Sequence, residues 1–124
     1  MKEIHALLKP VMPVIFGCCI IFTTIMALIP VTDIPSVFNF WDKAQHSLAF
    51  ITLTLTGSMA YPSKTKIVYL GLVIYGAGIE VVQYYCTTTR VGDVFDWLAD
   101  CIAIALGILI YQTLQKLLIR SNFI

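Results

Sequence analysis

Charged side chains are scarce in this chain, and their scarcity indicates what surrounds it. Asp, Glu, Lys and Arg make up only 12% of the 124 residues, whereas 59% of the residues are hydrophobic, and the mean hydropathy is +0.88. Soluble domains carry about 25% charged residues and about 45–50% apolar residues. The length fits one domain. We therefore expect a single domain over residues 1–124 with lipid around its outer surface.

The sequence also lacks the motifs of several functional classes. It has no glycine-rich phosphate loop, no nucleic-acid-binding signature and no HExxH or comparable zinc spacing among its two histidines and four cysteines. Cys18, Cys19 and Cys101 fall inside apolar segments, which is typical of small packing residues rather than of a disulfide framework. We expect no nucleic-acid partner, no resident metal and no cofactor.

Long apolar stretches are abundant. Four of them approach or exceed the length that crosses a bilayer, which is about 20 mostly apolar residues. A segment in lipid must satisfy its own backbone hydrogen bonds, so each should form a helix. The sequence therefore predicts an all-α, four-helix transmembrane bundle, with the first helix more peripheral because it alone has no ionisable group to bury. The predicted helices span residues 11–30, 43–60, 67–85 and 94–115.

The basic residues are unevenly placed around these segments, and an excess of Lys and Arg marks the cytoplasmic side of a membrane protein. If the N-terminus is inside, only Lys43 and Arg90 lie on the outer side. We therefore expect both termini in the cytoplasm. The basic residues of the inner side are Lys2, Lys9, Lys64, Lys66, Lys116 and Arg120.

Polar residues cluster where predicted helices two, three and four begin or end at the outer face. Asp42 and His46 are four residues apart and share a helical face, and Glu80 and Gln83 form a stripe on the third helix. The fourth helix carries aspartates at similar spacing. The candidate polar site comprises Asp42, Lys43, His46, Glu80, Gln83, Arg90, Asp93, Asp96 and Asp100.

An ionisable group costs about 2.5–3.5 kcal/mol at the bilayer centre, so such groups usually face the bundle interior and mark a functional site. Interhelical hydrogen bonds, worth about 0.6 kcal/mol on average, are the structural alternative. The surplus of acids over bases favours a site in which carboxyl pKa values are raised, a cation is recruited, or a cationic ligand is bound. His46 with a carboxylate could also act as a general base or bind a divalent metal, and whether the protein is an enzyme stays open.

The order of these motifs resembles the VanZ-like family of small bacterial membrane proteins. The resemblance covers residues 40–107 and rests on D-K-x-x-H-x-x-x-F at 42–50, E-x-x-Q at 80–83, Arg90 with a following acid, and then Asp96. One departure concerns the continuation D-x-x-x-N-x-x-G that is usual after the last aspartate. This chain has Asp100 and Ala103 at its last two places, so a carboxyl group stands where the family usually has an amide.

The resemblance implies a helical, multi-pass protein of the bacterial cytoplasmic membrane with no established enzymatic activity. The founding type of the family is associated with low-level resistance to the glycopeptide antibiotic teicoplanin, which implies a role at the cell envelope. We expect partners among membrane lipids, with a lipid-linked or antibiotic ligand at the outer face, and oligomers are possible. The alternatives are a membrane-embedded enzyme acting on an envelope lipid and a structural or partner-binding bundle without a ligand.

Overall fold

A computed structural model describes the backbone of residues 7–28, 37–86 and 94–120, and the side chains of 7–28, 44–85 and 96–117. Over these residues the chain forms four main helices and no strand, so the all-α prediction is confirmed. The helices are α1 (Met12–Leu28), α2 (Val37–Ala60), α3 (Thr65–Cys86) and α4 (Val94–Arg120).

Two helices extend well beyond their predicted bounds. Helix α2 begins at Val37 rather than at residue 43, and α4 continues to Arg120 rather than ending at residue 115. Hydropathy locates the apolar part of a helix, whereas a helix continues through polar residues as long as its backbone bonds are satisfied. Gln115 and Lys116 are good helix formers, and no proline or glycine follows them. Proline also sets the α2–α3 turn, because Pro62 has no N–H to donate.

Close contacts define the directions of the helices. A Cβ added to Gly57 on α2 would meet the ring of Phe16 on α1 and the side chain of Val68 on α3. Ser58 Oγ and Tyr69 Oη are 2.9 Å apart across the α2–α3 hairpin. Helix α4 packs along α2, and a Cβ on Gly107 would lie 2.7 Å from Thr54 Cβ. Small residues thus let the backbones approach closely, as is common between membrane helices.

Helix α2 packs against the other three helices. Its Phe50 and Leu53 are fully buried and join Ala27 of α1, Leu72 of α3 and Ala103 of α4 in one apolar core. Helix α1 contacts mainly α2 and, to a lesser extent, α3, so it is the more peripheral helix, as the sequence predicted. Apolar packing against α2, rather than a charge to bury, holds α1 in the bundle.

The outer surface of the helices is apolar. Large hydrophobic side chains are exposed on all four helices, for example Phe22, Leu48, Ile74 and Leu109. Within α3 and α4, the stretches Thr65–Tyr85 and Asp96–Leu117 are long and apolar enough to cross a membrane, and most of their residues are not buried inside the protein. Helix α1 is apolar but shorter. Lipid would cover these exposed side chains, as expected for a membrane protein.

Candidate functional site

Three helices bring polar residues to one level of the bundle. Phe50 of α2 packs against the position of Gly76 on α3. One helical turn further along each of these antiparallel helices stand His46 and Glu80. Asp100 of α4 interacts electrostatically with both Glu80 and Asp96. Glu80, Asp96 and Asp100 are thus near one another, and we call these three acids together with His46 the acidic layer.

The acidic layer lies inside the protein rather than on its surface. The exposed fraction is 8% for Glu80 and 1% for Asp100, whereas His46 and Asp96 are half-buried. Both carboxylate oxygens of Asp100 accept no hydrogen bond from the described part of the chain. A buried ionised carboxylate is costly unless it gains a proton, a cation or hydrogen-bond donors. Among these acids, Asp100 is therefore the one whose ionised form most requires a proton, a cation or a hydrogen-bond donor beside it.

Four predicted site residues fall outside what the structure describes. Helix α2 carries the backbone of Asp42 and Lys43, but their side chains are not described, and Arg90 and Asp93 lie outside the described residues altogether. The two predicted cations of the site are among these four. Among the side chains that are described, the basic residues Lys9, Lys64, Lys66 and Lys116 all lie near the opposite end of the bundle.

Gln83 has a clear structural contact. It is 3% exposed, and its Nε2 donates a 2.8 Å hydrogen bond to the backbone carbonyl of Ala27. Ala27 stands in the last turn of α1, where carbonyl groups have no acceptor role within the helix. Gln83 therefore caps the end of α1 and ties it to α3. Gln83 thus makes an interhelical hydrogen bond, which is what a purely structural role of the polar residues predicts.

An apolar floor lies under the acidic layer. Phe50 is fully buried, and a Cβ added to Gly76 would be 3.4 Å from both the Phe50 ring and the Trp97 indole. Trp97 Nε1 donates a 3.1 Å hydrogen bond to the carbonyl of Val73, across α4 and α3. We call Phe50 and Gly76 the floor, because they stand one helical turn from His46 and Glu80 towards the opposite end of the bundle, and Trp97 of α4 contacts Gly76 from the side.

A cavity between α1 and α2 reaches His46 from the side. Its volume is about 650 Å³, and its walls are largely apolar, with Gln45 and His46 contributing polar groups. Nothing in the sequence predicted it, because the register of α1 against α2 decides which side chains face each other. A helical wheel of each segment shows which residues share a face, but which faces of α1 and α2 meet is decided by packing.

Metal and thiol chemistry find little support among the described residues. No group of three His, Cys, Asp or Glu side chains there is arranged to hold a metal ion. Cys18, Cys19 and Cys101 have free thiols.

Sequence reasoning missed the buried hydroxyls at the opposite end of the bundle, where Ser58 contacts Tyr69. The four-residue spacing of Thr54 and Ser58 is the signal that could have revealed them.

These features define a helical membrane protein with carboxyl groups buried between its helices. A family model described as VanZ/LLP1 matches residues 11–116, which includes α1 as well as the motif-bearing helices, and the chain belongs to this family. No curated protein matches the chain, and no solved structure matches it either.

Proposed function

We propose that this protein is a multi-pass component of the bacterial cytoplasmic membrane that binds an envelope ligand at its acidic layer. The observation that carries the proposal is Asp100, which is buried beside Glu80 and Asp96 with both of its oxygens lacking hydrogen bonds from the described residues. Packing alone does not favour three neighbouring acids, because like charges in a partly dry interior repel. A ligand that brings a positive charge or several donors would offset that repulsion.

The proposal places both termini in the cytoplasm, with all four helices crossing the membrane and the acidic layer near the outer leaflet. The support is the Lys and Arg distribution, because Lys64 and Lys66 in the α2–α3 region and Lys116 in the last helix stand at the end opposite to the acidic layer. In this orientation a ligand reaches the layer from the outer leaflet or from outside the cell.

The chemistry of binding follows from the side chains. Glu80 and Asp100 supply carboxylate acceptors, and His46 supplies one N–H donor in its neutral form and two when protonated. Such a set suits a ligand with a cationic group beside a hydrogen-bond acceptor. The family resemblance connects this binding to the cell envelope and to teicoplanin resistance.

A second candidate function is catalysis on an envelope lipid, with His46 as general base. The placement of His46 level with Glu80 favours this reading, because a neighbouring carboxylate orients an imidazole and stabilises its protonated form. Product formation from envelope lipids by the purified protein, lost in His46→Ala, would establish it. A bundle that merely binds a partner would instead tolerate alanine at each position of the acidic layer.

The test of ligand binding is the near-isosteric change Glu80→Gln, with Asp96→Asn in parallel. In a functional site, these variants should reach normal membrane levels and melt at the same temperature as the parent or higher, because they reduce the repulsion of Asp100. They should nevertheless abolish the gain in teicoplanin resistance in a sensitive host. The parent protein must first be shown to raise resistance in that host.

Two results would go against the proposal. Variants that keep full resistance at normal protein levels would exclude a role for these carboxylates in the function. Variants whose resistance falls only in proportion to lost stability and abundance would identify the acids as packing groups. Asp96→Asn also controls for position, since Asp96 is half-buried and Glu80 is buried.

A further inference from the structure

Asp100 is the most deeply buried member of the acidic layer, with an exposed fraction of 1%. It shares a face of α4 with Ala103 and Ile104, which stand one turn further along and are also buried. Two turns along the same face, Gly107 closely approaches Thr54 of α2. Asp100 is thus on the face of α4 that packs against α2, and its carboxyl group is shielded from both lipid and water.

The surroundings of Asp100 oppose a negative charge. Both of its oxygens accept no hydrogen bond from the described part of the chain. Its electrostatic interactions there are with Glu80, Asp96 and the thiol of Cys101, and none of these groups brings a positive charge. His46, Glu80 and Asp96 each have further interactions in the protein. Asp100 is therefore the acid of the layer for which the described residues provide no compensation.

The groups that could compensate Asp100 are engaged or distant. Trp97 Nε1 donates to the carbonyl of Val73, and Gln83 Nε2 donates to the carbonyl of Ala27. The described lysines stand near the opposite end of the bundle, and no described set of three His, Cys, Asp or Glu side chains could hold a metal ion. A buried carboxylate requires a proton, a cation or donors. Of these, the proton alone needs no partner residue, because water supplies it.

We propose that Asp100 carries a proton in the ligand-free protein and that the cationic group of the ligand takes the place of this proton. The inference rests on the proposed function and adds the regulation of the same site by pH. In the exchange, the O–H bond of Asp100 breaks, the proton passes to water at the outer end, and the carboxylate pairs with the cation. Asp96, which is half-buried and one turn nearer the start of α4, lies on the side from which water reaches the layer.

The exchange makes binding depend on pH. One proton leaves for each cation bound, so each unit of acidification should weaken the binding of a cation about tenfold while Asp100 stays protonated. The other titratable groups on this part of the helices are Asp42, Lys43 and His46 of α2, Glu80 of α3, and Asp96 and Cys101 of α4. An unperturbed histidine also titrates near neutral pH, so the measurement has to separate carboxyl groups from His46.

Infrared spectroscopy of the purified protein at neutral pH makes this separation. A protonated carboxyl group has a C=O stretch that a carboxylate and an imidazole lack, and a heavy carbon isotope in the aspartate carboxyl shifts it. We expect one protonated aspartate band in the unaltered protein, lost in Asp100→Asn and retained in Asp96→Asn. Absence of the band would overturn the proposal. A band that survives in Asp100→Asn, or that is lost in Asp96→Asn, would assign the proton elsewhere and overturn it too.

Thermal unfolding between about pH 5 and about pH 7 gives a second readout, because an unfolded aspartate releases its proton above about pH 4. A folded state that keeps the proton loses stability as the pH rises, by up to about tenfold in the folding equilibrium constant per pH unit. Asp100→Asn has no such proton, whereas His46 is present in both proteins. The midpoint of Asp100→Asn should therefore exceed that of the parent by a margin that widens with pH. A constant margin would contradict the protonated state.

The exchange itself is tested with methylammonium chloride as the probe and potassium chloride at equal ionic strength as the control. Methylammonium should diminish the Asp100 carboxyl band of the unaltered protein and acidify a weakly buffered solution, and potassium chloride should do neither. An unchanged band with methylammonium would overturn the exchange. An equal loss with potassium chloride would assign the effect to ionic strength and overturn it as well. These measurements use purified protein, whereas the proposed function is judged by resistance in cells, so either can fail while the other stands.

Discussion

Gln83 donates a hydrogen bond to the backbone carbonyl of Ala27, and this bond fastens the end of the first helix to the third. It makes Gln83 part of the framework around the acidic layer, one helical turn from Glu80. A residue that a motif marks for function can therefore act by holding the site together. The consequence is that Gln83 and the acids should respond differently to substitution.

Replacement of Gln83 by leucine should destabilise the protein. The change leaves the Ala27 carbonyl buried without its donor, which costs about 1–3 kcal/mol. Thermal unfolding in detergent would show a lower midpoint, and membrane levels should fall with it. Gln45→Leu serves as control, because Gln45 is exposed. Equal midpoints for Gln83→Leu and the parent would refute the capping role.

Replacement of Asp100 by asparagine should leave the fold intact and raise the unfolding midpoint. The amide has nearly the shape of the carboxyl but cannot ionise, so it removes the cost of a negative charge at a residue that is 1% exposed and interacts with Glu80 and Asp96. The change also restores the residue type usual in the resembled family at this place. Circular dichroism during heating is the measurement, with Asp96→Asn as the half-buried comparison. A lower midpoint for Asp100→Asn would mean that the carboxylate has a stabilising partner.

Addition of a methyl group at Gly107 should weaken the contact between α2 and α4. A Cβ there would lie 2.7 Å from Thr54 Cβ, which belongs to a rigid part of that side chain. Overpacking of this kind costs about 1–3 kcal/mol, so Gly107→Ala should unfold at a lower temperature. Gly71→Ala is the control, because its Cβ would meet no atom within 4 Å. Similar midpoints for the two variants would argue against the close approach of these helices.

The proposed orientation predicts the labelling of single cysteines in a variant whose native cysteines are replaced. A cysteine at position 64 should react with a membrane-impermeant maleimide only after the cells are permeabilised, because the turn containing Lys64 would be cytoplasmic. A cysteine at position 85, at the other end of α3, should react in intact cells, since Tyr85 is exposed. The reverse pattern would turn the acidic layer towards the cytoplasm.

Hydropathy predicted the helical fold, because uninterrupted apolar stretches such as the one in α1 leave few alternatives in lipid. It misplaced the start of α2, since residues 37–42 contain polar groups that a helix readily includes. The sequence also identified Glu80 and Asp100 as candidate site residues, because an acid inside an apolar segment costs enough free energy that it usually faces the bundle interior.

The remaining features depend on pairing between helices. The partner of Gln83 is a backbone carbonyl, which every residue has, so the sequence offers no signal for Ala27. The packing of α1 against α2 and the cavity between them depend on close contacts such as that of Phe16 with Gly57. Apolar residues indicate that a helix face is buried or lipid-exposed, but they do not determine which face of another helix it packs against.

The floor formed by Phe50 and Gly76 has a consequence for the energy supply of the cell. A membrane stores work as differences in ion concentration and voltage, and a continuous file of polar groups through a protein would drain that store. The fully buried Phe50 ring, together with the buried Ala103 one helical turn beyond Asp100, interrupts such a file below the carboxyl groups. A ligand bound at the acidic layer would therefore enter and leave from the same side of the membrane, and the membrane would keep its electrical insulation.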